Sequence, residues 1–169
     1  MPSDKDRLYI AFYHWAFIIG PKKESASSEG RQFHAKETMT LEGIPPVPRS
    51  RWQYESKKVT MAPISMLLIR IVIAKVEDKH RLVSIFDETP LRPEVSGWNC
   101  VAWVEEGFDR VLQDGRTIGT SADSWKSVRD TAMWYVTKKK AEHRFDGTGT
   151  YDPTKAPTWD MLESRELLP

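Results

Sequence analysis

Residues 8–20 read Leu-Tyr-Ile-Ala-Phe-Tyr-His-Trp-Ala-Phe-Ile-Ile-Gly, and Pro21 follows. β-Branched and aromatic side chains fill this run and the Gly-Pro pair ends it, the pattern of a strand followed by a breaker. Taken as one strand over 8–19, it puts Leu8, Ile10, Phe12, His14, Ala16 and Ile18 on one face. Tyr9, Ala11, Tyr13, Trp15, Phe17 and Ile19 fall on the other. Both faces are apolar, so the strand is expected to be central and covered on both sides. His14 is its only ionisable group besides the two tyrosines.

Outward from that strand, 22–30 is a polar, Ser-rich loop and 31–38 reads as a second strand pairing back as a hairpin. Residues 41–51 contain Pro45, Pro46 and Pro48 and read as an extended loop. A short edge strand is expected over 52–59, a buried strand over 66–76 and a helix over 78–86. Pro90, Pro93 and Gly97 then break the chain. Over 99–112 the apolar residues 101, 104, 108, 111 and 112 have helical spacing, and Gly115 is a stop signal. Over 121–140 a stripe of Trp125, Val128, Ala132 and Tyr135 marks a third helix. Ser121 or Ser124 can cap it, and Lys138, Lys139 and Lys140 suit its C-terminal end. Strands first and helices after give an α+β class, an antiparallel β-sheet packed by helices. One domain is expected over 1–143, with a polar C-terminal tail over 144–169 that is either disordered or docked.

The totals narrow the function. The chain has 169 residues, 40% of them hydrophobic, with seven Trp, enough for one domain with a core. A net charge of +1 gives no call for nucleic acid. The greasiest stretch carries Arg70 and Lys75 and is too short to span a bilayer, so no integral membrane segment is expected. One cysteine makes no internal disulfide, and the start has no apolar leader. Together these point to a cytoplasmic protein. No P-loop, dinucleotide fingerprint or H-E-x-x-H is present, and no cofactor is assigned.

The lone cysteine, Cys100, falls at the start of the helix over 99–112. A thiol becomes a nucleophile as its thiolate, which a helix N-terminus and a nearby histidine both favour. The helix N–H groups can also hold an oxyanion beside the sulfur. In a hairpin turning near Ser25, His14 and His34 lie one diagonal step apart on the same face, within side-chain reach. His14 can then take the thiol proton, with His34 or Gln32 orienting its ring. A metal held by His14, His34 and Cys100 lacks any compact ligand pair, and no metal is assigned. Trp15, Trp52, Trp98 and Trp103 either line an apolar substrate pocket or belong to the core. Trp15, Gln32, Trp98, Asn99 and Trp103 are the candidate substrate-binding residues.

The stretch 13–20, Tyr-His-Trp-Ala-Phe-Ile-Ile-Gly, resembles the first histidine motif of the lecithin–retinol acyltransferase family. Phe33-His34 resembles the second histidine of that family, and Asn99-Cys100-Val101 its helix-opening cysteine. Permuted deubiquitinase-like cysteine peptidases are similar in the same order, as are small fungal proteins of this layout. The resemblance covers roughly residues 8–112. It implies a circularly permuted, NlpC-type papain-like fold, with Cys100 as nucleophile, His14 as base and His34 as the orienting third member. It implies a cysteine-dependent hydrolase or acyltransferase forming an acyl-thioester from a small-molecule, acyl or peptide substrate. The alternative is a non-catalytic protein of the same fold that binds a partner or small molecule. The loop between the two histidine strands is longer than in the acyltransferases, and Val-Ala-Trp-Val-Glu-Glu after Cys100 departs from their pattern.

Overall fold

A computed structural model describes residues 4–25, 27–62 and 67–169 of the chain, the side chain of Tyr13 excepted. The run over 8–19 is two strands, not one. β1 (Arg7–Tyr13) turns at His14 and Trp15 into β2 (Ala16–Gly20), with Ala11 opposite Ala16 and Leu8 opposite Ile19. The turn exchanges the faces. Leu8 and Ile10 now share the helix-covered side with Trp15, Phe17 and Ile19, while Tyr9 and Ala11 share the other with Ala16 and Ile18. No Gly, Pro or Asn marks the turn, so local chemistry does not announce it. Tertiary contacts hold it instead: Phe12 meets Trp15 edge-on at 5.0 Å, and Trp15 meets Trp125 at 5.4 Å.

β3 (Glu29–Glu42) pairs with β2 at Phe17↔Phe33, the register expected from a turn near Ser25. β4 (Val47–Thr60) then pairs with β3 along its whole length. The expected loop over 41–51 is therefore the end of a long hairpin turning at residues 43–46, where Gly43 has φ +88°. Pro48 is tolerated because β4 is an edge strand. β5 (Leu67–Val76) lies beside β1; the first residue expected of this strand, Met66, lies outside the described residues.

Three helices follow. α1 (Lys79–Glu88) is capped by Asp78, whose side chain accepts from the Arg81 amide at 3.0 Å. α2 (Cys100–Asp114) ends at Gly115 in the left-handed region. After β6 (Ile118–Ser121), Ser124 caps α3 (Trp125–Ala141) through the Ser127 amide at 3.2 Å. Of the two alternatives for residues 144–169, the docked one is observed. β7 (Thr158–Asp160) pairs in parallel with β5, and β8 (Arg165–Leu168) pairs with β7.

The described residues form an α+β molecule with one eight-stranded, mostly antiparallel sheet in the order β4-β3-β2-β1-β5-β7-β8, β6 pairing with β5. All three helices cover one face. Phe17 stacks on Phe86 at 4.3 Å and meets Trp103 at 5.9 Å, joining β2, α1 and α2. Each fully buried aromatic of this kind contributes about 1.5–3 kcal/mol. Met61, Leu162 and Leu167 pack on the opposite face, so the β1–β2 hairpin is covered on both sides, as its two apolar faces require.

Candidate functional site

The site is assembled at the β1–β2 turn, where β3 and β4 run on past the shorter hairpin. His14 sits in that turn, half-buried, and His34 is buried on β3. Nε2 of His14 and Nδ1 of His34 are 2.6 Å apart, with the rings edge-to-face at 4.8 Å. Nε2 of His34 lies 3.0 Å from Oε1 of Glu55, its direct cross-strand partner on β4. Glu55 is bonded in turn to Lys36 and, at 3.0 Å, to Lys57.

Hydrogen bonds from Lys36, His34 and Lys57 pull the Glu55 carboxyl down to about 2, so it is a carboxylate at any neutral pH. Burial lowers His14 below the ordinary imidazole value, and His34 and Lys57 push it the same way. For His34 two effects oppose. Burial lowers it, the bond and charge of Glu55 raise it, and the net direction is down, because the ring is almost sealed from water. Both imidazoles are neutral at pH 7.

Cys100 opens α2 and is half-buried on the helix-covered side of the sheet. Its local frame comes from Asn99, which is the helix N-cap: Oδ1 accepts from the amides of Val101 at 3.0 Å and Ala102 at 3.3 Å. Burial pushes the thiol above its ordinary value, against the backbone amides of Trp15, Val101 and Cys100, which favour the thiolate. The Trp15 amide is the link between the two halves of the site. It belongs to the residue after His14. The sulfur therefore lies against the turn that carries the histidine. Among the described residues no side-chain hydrogen bond joins the sulfur to either ring, and at rest the thiol on the helix-covered side and the His14 imidazole are both neutral.

The remaining candidates divide. Gln32 is buried beside His14, on the face away from the helices, and both line a cavity of about 20 Å³, room for one water. Trp98 is partly exposed and packs edge-on against Trp52 at 5.2 Å, with its Nε1 buried and unpartnered. Trp103 is corrected to a core residue: it is fully buried and donates from Nε1 to the Thr89 carbonyl at 3.2 Å, leaving no surface for a substrate. The Trp15 ring is likewise core, and only its backbone faces the sulfur. Asn99 is engaged as a cap, and its side chain takes two of the helix amides expected to hold an oxyanion. The Cys100 amide is left for that task.

Glu55 and the Trp15 amide were not among the expected site residues. A turn at Gly43-Ile44-Pro45-Pro46 would have set the β3–β4 register and placed Glu55 opposite His34, had residues 41–51 been read as strand. Among the described residues no three His, Cys, Asp or Glu side chains form a cluster that could hold a metal. Among the described residues no helix is long and apolar enough to cross a membrane. A surface concavity of about 540 Å³ between α1 and α2 shares no lining residue with this site. Its Arg81 and Arg110 are already paired with Asp114 and Glu106.

No curated protein and no solved structure matches the chain. Residues 3–168 match the model of DUF6914, a family of unknown function, and the chain belongs to that family.

Proposed function

We propose that this protein is a cysteine-dependent hydrolase or acyltransferase acting on an amide, ester or thioester through an acyl-thioester on Cys100. The observation that carries this reading is the hydrogen bond between His14 and His34, made at a turn whose next amide faces a helix-opening cysteine. The order of these parts along the chain supports a circularly permuted papain-like arrangement.

In the proposed reaction Nδ1 of His14 takes the Sγ proton as sulfur attacks the substrate carbonyl. The S–C bond forms, and the Cys100 amide donates to the oxyanion. Collapse breaks the bond to the leaving group, which departs with the proton from His14. Water, or an acceptor alcohol or amine, then attacks the thioester and gives its proton to His14. Sulfur leaves and takes that proton back. Trp98, two residues before Cys100, and its edge-on partner Trp52 offer an apolar platform for the acyl part.

A second reading has one observation in its favour. Burial holds Cys100 as a thiol, which suits a non-catalytic protein that binds a partner or small molecule. Intact-mass analysis after incubation with an activated acyl thioester separates the two. The enzyme reading expects a single acyl adduct that is lost in Cys100→Ala and forms at least tenfold more slowly in His14→Ala. Adduct formation equal in wild type and His14→Ala removes the catalytic reading.

A further inference from the structure

Glu55 has an electronic consequence for the base, and this inference rests on the function proposed above. The hydrogen-bond chain runs from Glu55 to His34 to His14, at 3.0 Å and then 2.6 Å. A carboxylate only accepts hydrogen bonds, whereas a neutral imidazole has one donor and one acceptor nitrogen. With a carboxylate at 3.0 Å, Nε2 of His34 must carry its proton, so Nδ1 of His34 is a lone pair. Nε2 of His14 must then donate, and Nδ1 of His14 is left as the lone pair. That is the nitrogen the proposed reaction uses as its base. The opposite pair of tautomers would put a proton on Nδ1 of His14 and abolish its capacity as a base.

We propose that Glu55 is a positioning residue of the site, setting both histidines as Nε2–H tautomers and leaving Nδ1 of His14 as the basic lone pair. Lys36 and Lys57 belong to the same device. They flank the carboxylate and keep it ionised, and Lys57 also disfavours a charge on either ring. When His14 takes up the thiol proton in the reaction, the new positive charge lies at the end of a chain terminated by an anion, which stabilises it. The cross-strand placement makes the arrangement stiff, because His34 and Glu55 are directly opposed on paired strands.

The test is a long-range ¹H–¹⁵N correlation spectrum of the full chain carrying ¹⁵N-histidine at pH 7.5. His14→Gln and His34→Gln identify the resonances. Wild type is expected to show both rings as single Nε2–H tautomers. In Glu55→Ala, and in the isosteric Glu55→Gln should the first not fold, the Nε2–H population of His14 is expected to fall to about half. An Nδ1–H tautomer of His14 in wild type overturns the proposal, as does an unchanged tautomer in a folded Glu55 variant. The tautomer readout needs no turnover. Failure of acylation with these tautomers present removes the reaction alone, while the wrong tautomers remove the role of Glu55 whatever the acylation shows.

Discussion

At the scale of single residues, His14 and His34 are uncharged in the folded protein and ordinary imidazoles in the unfolded chain. Their folded proton affinities lie below the usual 6.5, with burial the first cause for both. The unfolded state therefore binds more protons as pH falls below that value, and stability must fall with it. The contribution is fully present above about 6.5 and is lost as pH drops through the lower folded values. Glu55 acts in the same direction in a separate window, between its usual 4.5 and about 2. Denaturant unfolding from pH 7.5 to 5 should show a declining midpoint for wild type and a flatter profile for the double variant His14→Gln/His34→Gln. A midpoint that rises toward acid contradicts the neutral assignment. The residue types for this site stood out in the sequence because histidine and cysteine are few. Glu55 did not, since a glutamate among 24 acidic residues gains meaning only from the side chain opposite it.

At the scale of elements, register decided what sequence could give. The Ser-rich loop near Ser25 was enough to align Phe17 with Phe33, and so to bring His14 near His34. The β1–β2 turn was hidden because its residues are aromatic and its stability comes from Trp125 on a helix over a hundred positions away. β7 and β8 were hidden for another reason. Strands of three and four residues carry too little alternation to register, and they exist because β5 offers them an edge. The start of α2 was readable, since Asn before a helical stripe is a strong cap. Asn99→Ala should lower unfolding stability by about 1 kcal/mol, measured by chemical denaturation. A change within ~0.2 kcal/mol of zero would mean that solvent replaces the cap.

At the scale of the whole molecule, the site exists only in the folded chain. The proposed nucleophile comes from the helix layer, the proposed base from a turn between two central strands, and the proposed orienting groups from the long β3–β4 hairpin. The strands bring together residues 14, 34 and 55, the Trp15 amide reaches Cys100, and the match to one family over residues 3–168 covers all of these parts. With His14 as the proposed base, a neutral thiol and a neutral imidazole make a definite statement about pH. A cysteine acting alone, raised by burial, reacts only as pH climbs above its ordinary 9.0. A cysteine served by His14 reacts once that imidazole is deprotonated, below 6.5. The decisive measurement is the rate of Cys100 alkylation by iodoacetamide from pH 5 to 10, in wild type and in His14→Ala. The account predicts a step in the wild-type rate below pH 6.5 that vanishes in His14→Ala, leaving only the rise above pH 9. Superimposable profiles for the two proteins, each with the alkaline rise alone, would contradict it.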